Sequence, residues 1–168
     1  MPEMPMGDFI LSPTAPEFSV GEVSAILEIP RRKVALWIEQ GVIQPTIGDM
    51  GKGHQRHFSF VDLLKICGIA QLADWMIAPR FLRALGDVLS IVEVFAAEWK
   101  PPISITQMRA AFPSSLAMGQ SPDGRVAMHP YSAESSFGVP LFLVFQYEMI
   151  LDDVLLRVWK HRPDFFRH

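Results

Sequence analysis

The chain has 168 residues, of which 49% are hydrophobic and 20% are charged, and its net charge is −3 at neutral pH. This composition is typical of a globular protein with its own core and excludes a disordered chain. No apolar stretch reaches the roughly 18 to 20 residues that a membrane span requires. The single cysteine, Cys67, excludes an internal disulfide and a thiolate metal cluster within one chain.

Residues 1–17 include acidic residues and prolines but no lysine or arginine. They lack the basic end of a signal peptide, so we interpret them as a flexible arm on a cytoplasmic protein.

Two short helices are predicted next. Ser19 and Glu22 have the spacing of a capping box, in which the serine hydroxyl and the glutamate each satisfy one free amide. A break at Glu28, Ile29 and Pro30 precedes a second helix over residues 30–41, with Pro30 in its first turn. Gly41 stands where a helix ends in the left-handed conformation.

A hairpin and a third helix follow. Residues 48–53 contain three glycines, which is typical of a flexible loop tip, and we predict the hairpin over residues 46–58. Ser59 and Asp62 have the spacing of a second capping box, which opens an apolar helix. Two helices, a glycine-tipped hairpin and a capped third helix are the parts of a winged helix-turn-helix.

Basic charge is concentrated in this region. Residues 30–57 carry Arg31, Arg32, Lys33, Lys52 and Arg56 against Glu39 and Asp49, which is five minus two, a local charge of +3. Three of these cations crowd the first turn of the second helix, where free amides and the helix dipole already favour phosphate. The pattern favours an anionic partner.

The region resembles the DNA-binding domain of the MerR family of transcriptional regulators. The likeness is carried by residues 18–23, residues 37–45 and residues 54–63, in this order and at these separations. It implies sequence-specific binding of double-stranded DNA by a homodimer, with helix 30–41 in the major groove and wing 46–58 on the backbone or the minor groove. It also implies a contact with RNA polymerase and a cytoplasmic, nucleoid-associated protein.

The predicted DNA contacts lie on the second helix and in the wing. They are Arg31, Arg32, Lys33, Trp37, Lys52, His54, Gln55, Arg56 and His57. By the resemblance, Arg56 takes the place of the family's wing arginine and Trp37 that of an aromatic residue near the DNA backbone. The chain departs from the family pattern at Leu36, where a tyrosine is common, and at Pro30, where a serine cap is usual.

A connecting helix is predicted over residues 79–100. Its apolar residues recur at spacings of four and three, as in the seam of a coiled coil, and we predict that they form a dimer interface. They are Phe81, Leu85, Val88, Val92, Phe95 and Trp99. Leu82, Leu89 and Ala96 form a second stripe beside them. A single wide stripe facing the core of one chain is the alternative.

Residues 101–168 are predicted to form a small α+β module that serves as an effector or dimerisation domain. A short helix over residues 104–112, a hairpin around residues 116–129, a strand over residues 139–145 and a final helix follow one another. Residues 163–168 are expected to fray. Aromatic and methionine side chains line either a cavity for a small apolar effector or, as the alternative, a plain core. They are Phe112, Phe137, Phe142, Phe145, Tyr147, Trp159, Met118, Met128 and Met149.

No pattern indicates catalysis, a metal site or a cofactor. Cys67 lies on an apolar helix face, and Asp152 and Asp153 suit a solvated surface. His54 and His57 would need two more ligands to hold zinc.

The predicted fold class is therefore mainly α with small β. An arm over residues 1–17, a winged helix-turn-helix over residues 18–78, a connecting dimerisation helix over residues 79–100 and a C-terminal α+β module follow in order. Two alternative functions stay open: a winged module that binds a protein, and an architectural DNA-binding protein of the excisionase or phage type.

Overall fold

The computed structural model describes residues 9–47, 56–73, 82, 96, 101–111, 115–120, 126–130 and 142–166, with the backbone alone described for residues 116–120, 126–130, 142–145 and 147. The helices are α1 Val20–Leu27, α2 Arg31–Glu39, α3 Phe60–Ala73, α4 Ile105–Ala111 and α5 Tyr147–His161, and a 3-10 helix spans Pro163–Phe165. The strands are β1 Ile10–Leu11, β2 Phe18–Ser19, β3 His57–Phe58, β4 Ile103–Ser104, β5 Leu116–Gln120, β6 Val126–Pro130 and β7 Phe142–Phe145. The prediction of a mainly helical chain with small β elements is confirmed.

Helix α1 begins at the predicted capping box. The Glu22 amide donates to Ser19 Oγ at 3.3 Å, and the Ser19 amide donates to Glu22 Oε2 at 2.8 Å. The helix buries Val23, Ile26 and Leu27. It ends at Glu28, whose φ of 56° places it in the left-handed region. The turn to α2 is therefore tight.

Helix α2 packs on α1 through Val34 and Trp37, which are 0% and 3% exposed. It ends as predicted, because Gly41 has a φ of 67° and the Val42 amide donates to the Trp37 carbonyl at 2.8 Å. Glycine adopts this conformation without the steric cost of a Cβ. The turn carries Val42 and Ile43 into the core.

The base of the predicted wing is paired. Ile47 and His57 exchange two backbone hydrogen bonds, of 3.2 Å and 2.9 Å. His57 and Phe58, which form β3, also pair antiparallel with Ser19 and Phe18 of β2. The wing base is thus joined to the start of α1, while the predicted glycine tip, residues 48–53, lies outside the described residues.

Helix α3 is the centre of the core. Residues 60–69 are all buried, so this helix lacks the solvent-facing stripe of an ordinary surface helix. Its predicted capping box is present, since the Asp62 amide donates to Ser59 Oγ at 3.2 Å and the Ser59 amide donates to Asp62 Oδ2 at 2.8 Å. Cys67 is a buried residue of this helix, as predicted.

The segment before α1 is packed from residue 9 onward, so the prediction of a flexible arm is wrong for residues 9–17. Phe9 and Leu11 are each 2% exposed, and β1 pairs antiparallel with β4. The Val61 amide of α3 donates to the Pro13 carbonyl at 3.0 Å. Burial of large apolar side chains outweighs the turn-forming prolines that suggested a loose segment.

Two residues of the predicted connecting helix are described. Leu82 and Ala96 are both helical and buried, at 4% and 1% exposed. Both belong to the second apolar stripe of that helix. The predicted dimer seam, from Phe81 to Trp99, lies outside the described residues.

The C-terminal region contains the predicted α+β elements. Helix α4 follows β4, and the three-stranded antiparallel sheet has the order β6-β5-β7. Leu116 pairs with Pro130 in the predicted hairpin and with Phe145 of the predicted strand.

Helix α5 leaves this sheet and packs on α1 and α3. It buries Ile150, Leu151, Val154, Leu155 and Val158. Where fraying is predicted, residues 163–166 are ordered: the Phe165 ring lies 4.9 Å from that of Phe18 and is stacked at 6.0 Å on that of Phe60. Helix α5 and the residues behind it therefore complete the core of the N-terminal domain.

Within the described ranges, no helix combines the length and the hydropathy needed to cross a bilayer.

Candidate nucleic-acid interface

The first turn of α2 offers free backbone donors. Its N-cap is Pro30, whose side chain makes no capping hydrogen bond. The amides of Lys33 and Val34 both donate to the Pro30 carbonyl, at 2.7 Å and 3.2 Å. Among the described residues, the amides of Arg31 and Arg32 find no acceptor. Unsatisfied amides at the positive end of a helix dipole form an anion-binding site.

Three exposed arginines lie in the N-terminal domain, two of them in the first turn of α2. Arg31, Arg32 and Arg56 are exposed, and none of them contacts a carboxylate within the described part of the chain. The remaining described arginines are each paired: Arg109 with Asp152 at 2.6 Å, Arg157 with Asp153 at 2.8 Å and with Glu28 at 3.0 Å, and Arg162 with Glu22 at 2.6 Å. Of the described arginines, those without a carboxylate partner thus belong to α2 and the wing.

Trp37 and Lys33 take a different place from the one predicted. Trp37 is 3% exposed and packs in the core under α2, so its ring is not available to DNA. Lys33 is half-buried, and its Nζ lies 5.2 Å from the centroid of the Trp37 ring, a cation–π distance. Trp37 is corrected from a DNA contact to a core residue, because its helical spacing from Val34 places both on the buried face.

In the wing, Arg56 is exposed and His57 is half-buried. The His57 Nδ1 atom is buried and finds no hydrogen-bond partner among the described residues. Lys52, His54 and Gln55 lie outside the described residues.

The two helices, the paired wing base and the capped third helix agree with a match to a protein family. Residues 18–75 match the family model described as MerR HTH family regulatory protein. Residues 18–75 are a MerR-type helix-turn-helix domain. Proteins of this family regulate transcription by binding DNA, and the domain supports that function for the chain. A search of curated proteins found no match.

The buried carboxylate of Asp62 connects two parts of the MerR-type domain. Its local sequence does not indicate this role. Asp62 is 4% exposed and accepts hydrogen bonds from the Ser59 amide and hydroxyl, from the Thr46 hydroxyl and, at 3.2 Å, from Lys65. Thr46 belongs to the wing base. The carboxylate therefore joins the wing to α3, and the serine–aspartate spacing predicts only its capping role.

Arg157 of α5 and Arg162, which directly follows this helix, form ion pairs with the MerR-type domain. Arg157 binds Glu28 in the turn between α1 and α2, and Arg162 binds the capping-box residue Glu22. The Arg162 guanidinium also lies 5.8 Å from the centroid of the Phe18 ring. These contacts span more than 120 residues of sequence, so no local pattern predicts them.

The structure describes two of the side chains that were predicted to line an effector cavity. Trp159 is half-buried and packs against the core, with its ring centroid 5.0 Å from that of Phe9 and 5.4 Å from that of Phe166. Met149 is 64% exposed. The other predicted cavity residues have no described side chain. Among the described residues, no three His, Cys, Asp or Glu side chains converge on a metal position.

Proposed function

We propose that the chain is a sequence-specific transcriptional regulator that binds double-stranded DNA as a homodimer. The observation that carries this proposal is the set of exposed arginines Arg31, Arg32 and Arg56, which have no described carboxylate partner and lie inside the MerR-type domain. Lysine and arginine that neutralise phosphates supply most of the affinity of proteins for DNA. The overall charge of −3 is compatible with this function, because binding depends on where the charge is placed.

Helix α2 is proposed to lie in the major groove, which is wide enough to admit a helix. In that position Arg31 and the first-turn amides bind phosphate, while Arg32 reads a base edge. Lys33 serves as a further cation at the same helix end. Arg56, with Lys52, His54, Gln55 and His57, brings the wing to the adjacent backbone or minor groove.

The proposed dimer forms through residues 79–99. Leu82 and Ala96 are buried within one chain, which supports the assignment of the second stripe to the core. The first stripe then packs against the same stripe of a second copy of the chain. Its residues are Phe81, Leu85, Val88, Val92, Phe95 and Trp99.

Residues 101–145 are proposed as the effector or dimerisation part. Helix α5 connects this part to α1 and α3, so a small apolar effector bound there would act on the DNA-binding domain. An RNA polymerase contact belongs to the same proposal. The chain is proposed to act in the cytoplasm at the nucleoid.

Selection of sites from a random pool of duplex DNA by the purified full chain tests the proposal. Bound sequences are determined, and the affinity of the best is measured at two salt concentrations. We expect a two-fold symmetric site and an affinity that falls as salt rises, because counterions are released from neutralised phosphates.

The other outcomes separate the rival functions. Absence of any salt-dependent binding overturns the proposal and favours a winged module that docks a protein. Binding that bends DNA without changing transcription favours an architectural role.

A further inference from the structure

A leucine stands exposed on the helix proposed to enter the major groove. Among the described residues, the large hydrophobic side chains that are exposed are Leu36 at 46%, Ile47 at 54% and Met149 at 64%. Leu36 is in α2 and Ile47 is at the wing base, so two of the three lie in the MerR-type domain. Leaving a leucine this exposed forgoes the stabilisation that its burial would give.

Leu36 shares a face with a proposed base-reading arginine. Arg32, Leu36 and Glu39 are all exposed and are separated by four and three residues, which places them in one stripe of α2. Val34 and Trp37, the buried residues of the helix, lie on the other side. The stripe with Leu36 is therefore on the exposed side of α2, which the proposed function places in the major groove.

The chemistry of the side chain restricts what it can contact there. Leucine can neither donate nor accept a hydrogen bond, so it cannot bind phosphate or the polar edge of a base. The major groove displays one apolar group among its donors and acceptors, the C5-methyl of thymine. An apolar side chain on a helix facing the groove therefore matches thymine and no other base.

We propose that Leu36 is a specificity-determining residue that packs against the C5-methyl group of a thymine in the binding site. The inference rests on the proposed function, since it requires that α2 enters the major groove. It adds a base preference that the arginines do not supply.

Replacement of thymine by uracil in the selected site tests the inference, because it removes the methyl group and leaves base pairing unchanged. Each thymine position is replaced in turn, and affinity is measured for the wild type and for Leu36→Ala. We expect one position, repeated in each half-site, at which uracil weakens the wild type about fourfold per methyl group. For Leu36→Ala the same replacement should change affinity by less than about twofold.

Two further variants serve as controls. Leu36→Met keeps an apolar side chain of similar volume and should retain the difference between thymine and uracil. Met149→Ala removes an exposed apolar side chain from α5, outside the MerR-type domain, and should bind as the wild type does. Alanine favours helices, so Leu36→Ala is expected to fold, which circular dichroism checks.

The failure of this inference differs from the failure of the proposed function. If the chain binds a defined site but no uracil replacement weakens the wild type, or if Leu36→Ala remains as sensitive as the wild type, the assignment of Leu36 is overturned. If no DNA binds, the proposed function fails first.

Discussion

An arginine without a carboxylate partner keeps all of its guanidinium donors for another molecule. Arg56, at the wing base, has no carboxylate partner among the described residues, whereas Arg109 forms an ion pair with Asp152 at 2.6 Å. The two side chains are both exposed but differ in what they can offer to phosphate. They form a matched pair for testing the wing.

Arg56→Ala is expected to weaken binding by about the same factor on every DNA sequence and to lower the slope of log affinity against log salt by about one. The reason is the loss of one phosphate contact, which carries no sequence information. Fluorescence anisotropy over a series of salt concentrations measures both quantities. Arg109→Ala should leave the slope unchanged, and an Arg56→Ala variant that loses affinity for one sequence only would contradict the backbone role.

At single positions, the sequence predicts the exposure of charged residues better than the location of aromatic residues. The basic run at Arg31 and Arg32 predicts exposed cations, because charged side chains seldom enter a core without a partner. Trp37 is assigned wrongly to the interface, since an aromatic residue near a helix end suits either a core or a DNA backbone. Its spacing of three residues from Val34 indicates the buried face of α2, whereas the DNA contact was implied by the family resemblance alone.

At the scale of elements, those with local causes are the ones predicted. The capping boxes at Ser19 and Ser59 start helices where expected, and Gly41 ends one. Each of these signals involves residues within four positions of one another. The docking of α5 on α1 depends on Arg157 and Arg162, whose partners lie 129 and 140 positions away.

The carboxyl of Glu22, which caps α1 and also binds Arg162, makes stability depend on pH. Burial raises the pKa of the Glu22 carboxyl, but hydrogen bonds from Ser19 and Arg162 outweigh it and hold that pKa below its ordinary value of 4.5. A depressed pKa in the folded state contributes stability that is present above the unfolded pKa and is lost as pH falls through the folded pKa. The free energy of unfolding should therefore fall on acidification below about pH 4.5.

Glu22→Gln should reduce the free energy of unfolding at neutral pH and flatten its acid dependence, since glutamine does not titrate. Urea unfolding at a series of pH values from neutral to acid measures this. Glu39→Gln removes an exposed carboxylate that has no described partner and provides the control. Parallel pH curves for the wild type and Glu22→Gln would count against a role for this carboxyl in docking α5.

At the scale of the molecule, the core of the MerR-type domain draws on sequence from both sides of it. Phe9 precedes the domain and Phe165 follows it by many residues, yet both are buried, at 2% and 4%. The predicted boundaries at residues 18 and 78 follow the winged helix-turn-helix pattern, which includes neither of these two residues. The segments that contain Phe9 and Phe165 also contain prolines, so their sequences resemble loops. Their burial depends on partners that are distant in the sequence.

Phe165→Ala is expected to lower the free energy of unfolding by about 3 to 5 kcal/mol, as is usual when a buried phenylalanine is truncated. The ring contacts Phe18 and Phe60, so the loss falls on the MerR-type domain itself. Urea unfolding followed by tryptophan fluorescence measures it. Phe165→Leu should cost less, because most of the apolar volume is kept. A change below about 0.5 kcal/mol for Phe165→Ala would place the ring outside the core.

The packing of Phe165 against Phe18 and Phe60 also affects how the chain folds during its synthesis. Residues 18–75 are synthesised early, but the parts of α1 and α3 that pack on α5 lack this partner until α5 has emerged. A nascent chain interrupted before that point exposes apolar surface that invites chaperones and proteases. A chain that terminates before α5 is therefore expected to be degraded. It is not expected to persist as a folded DNA-binding fragment that lacks the C-terminal sheet.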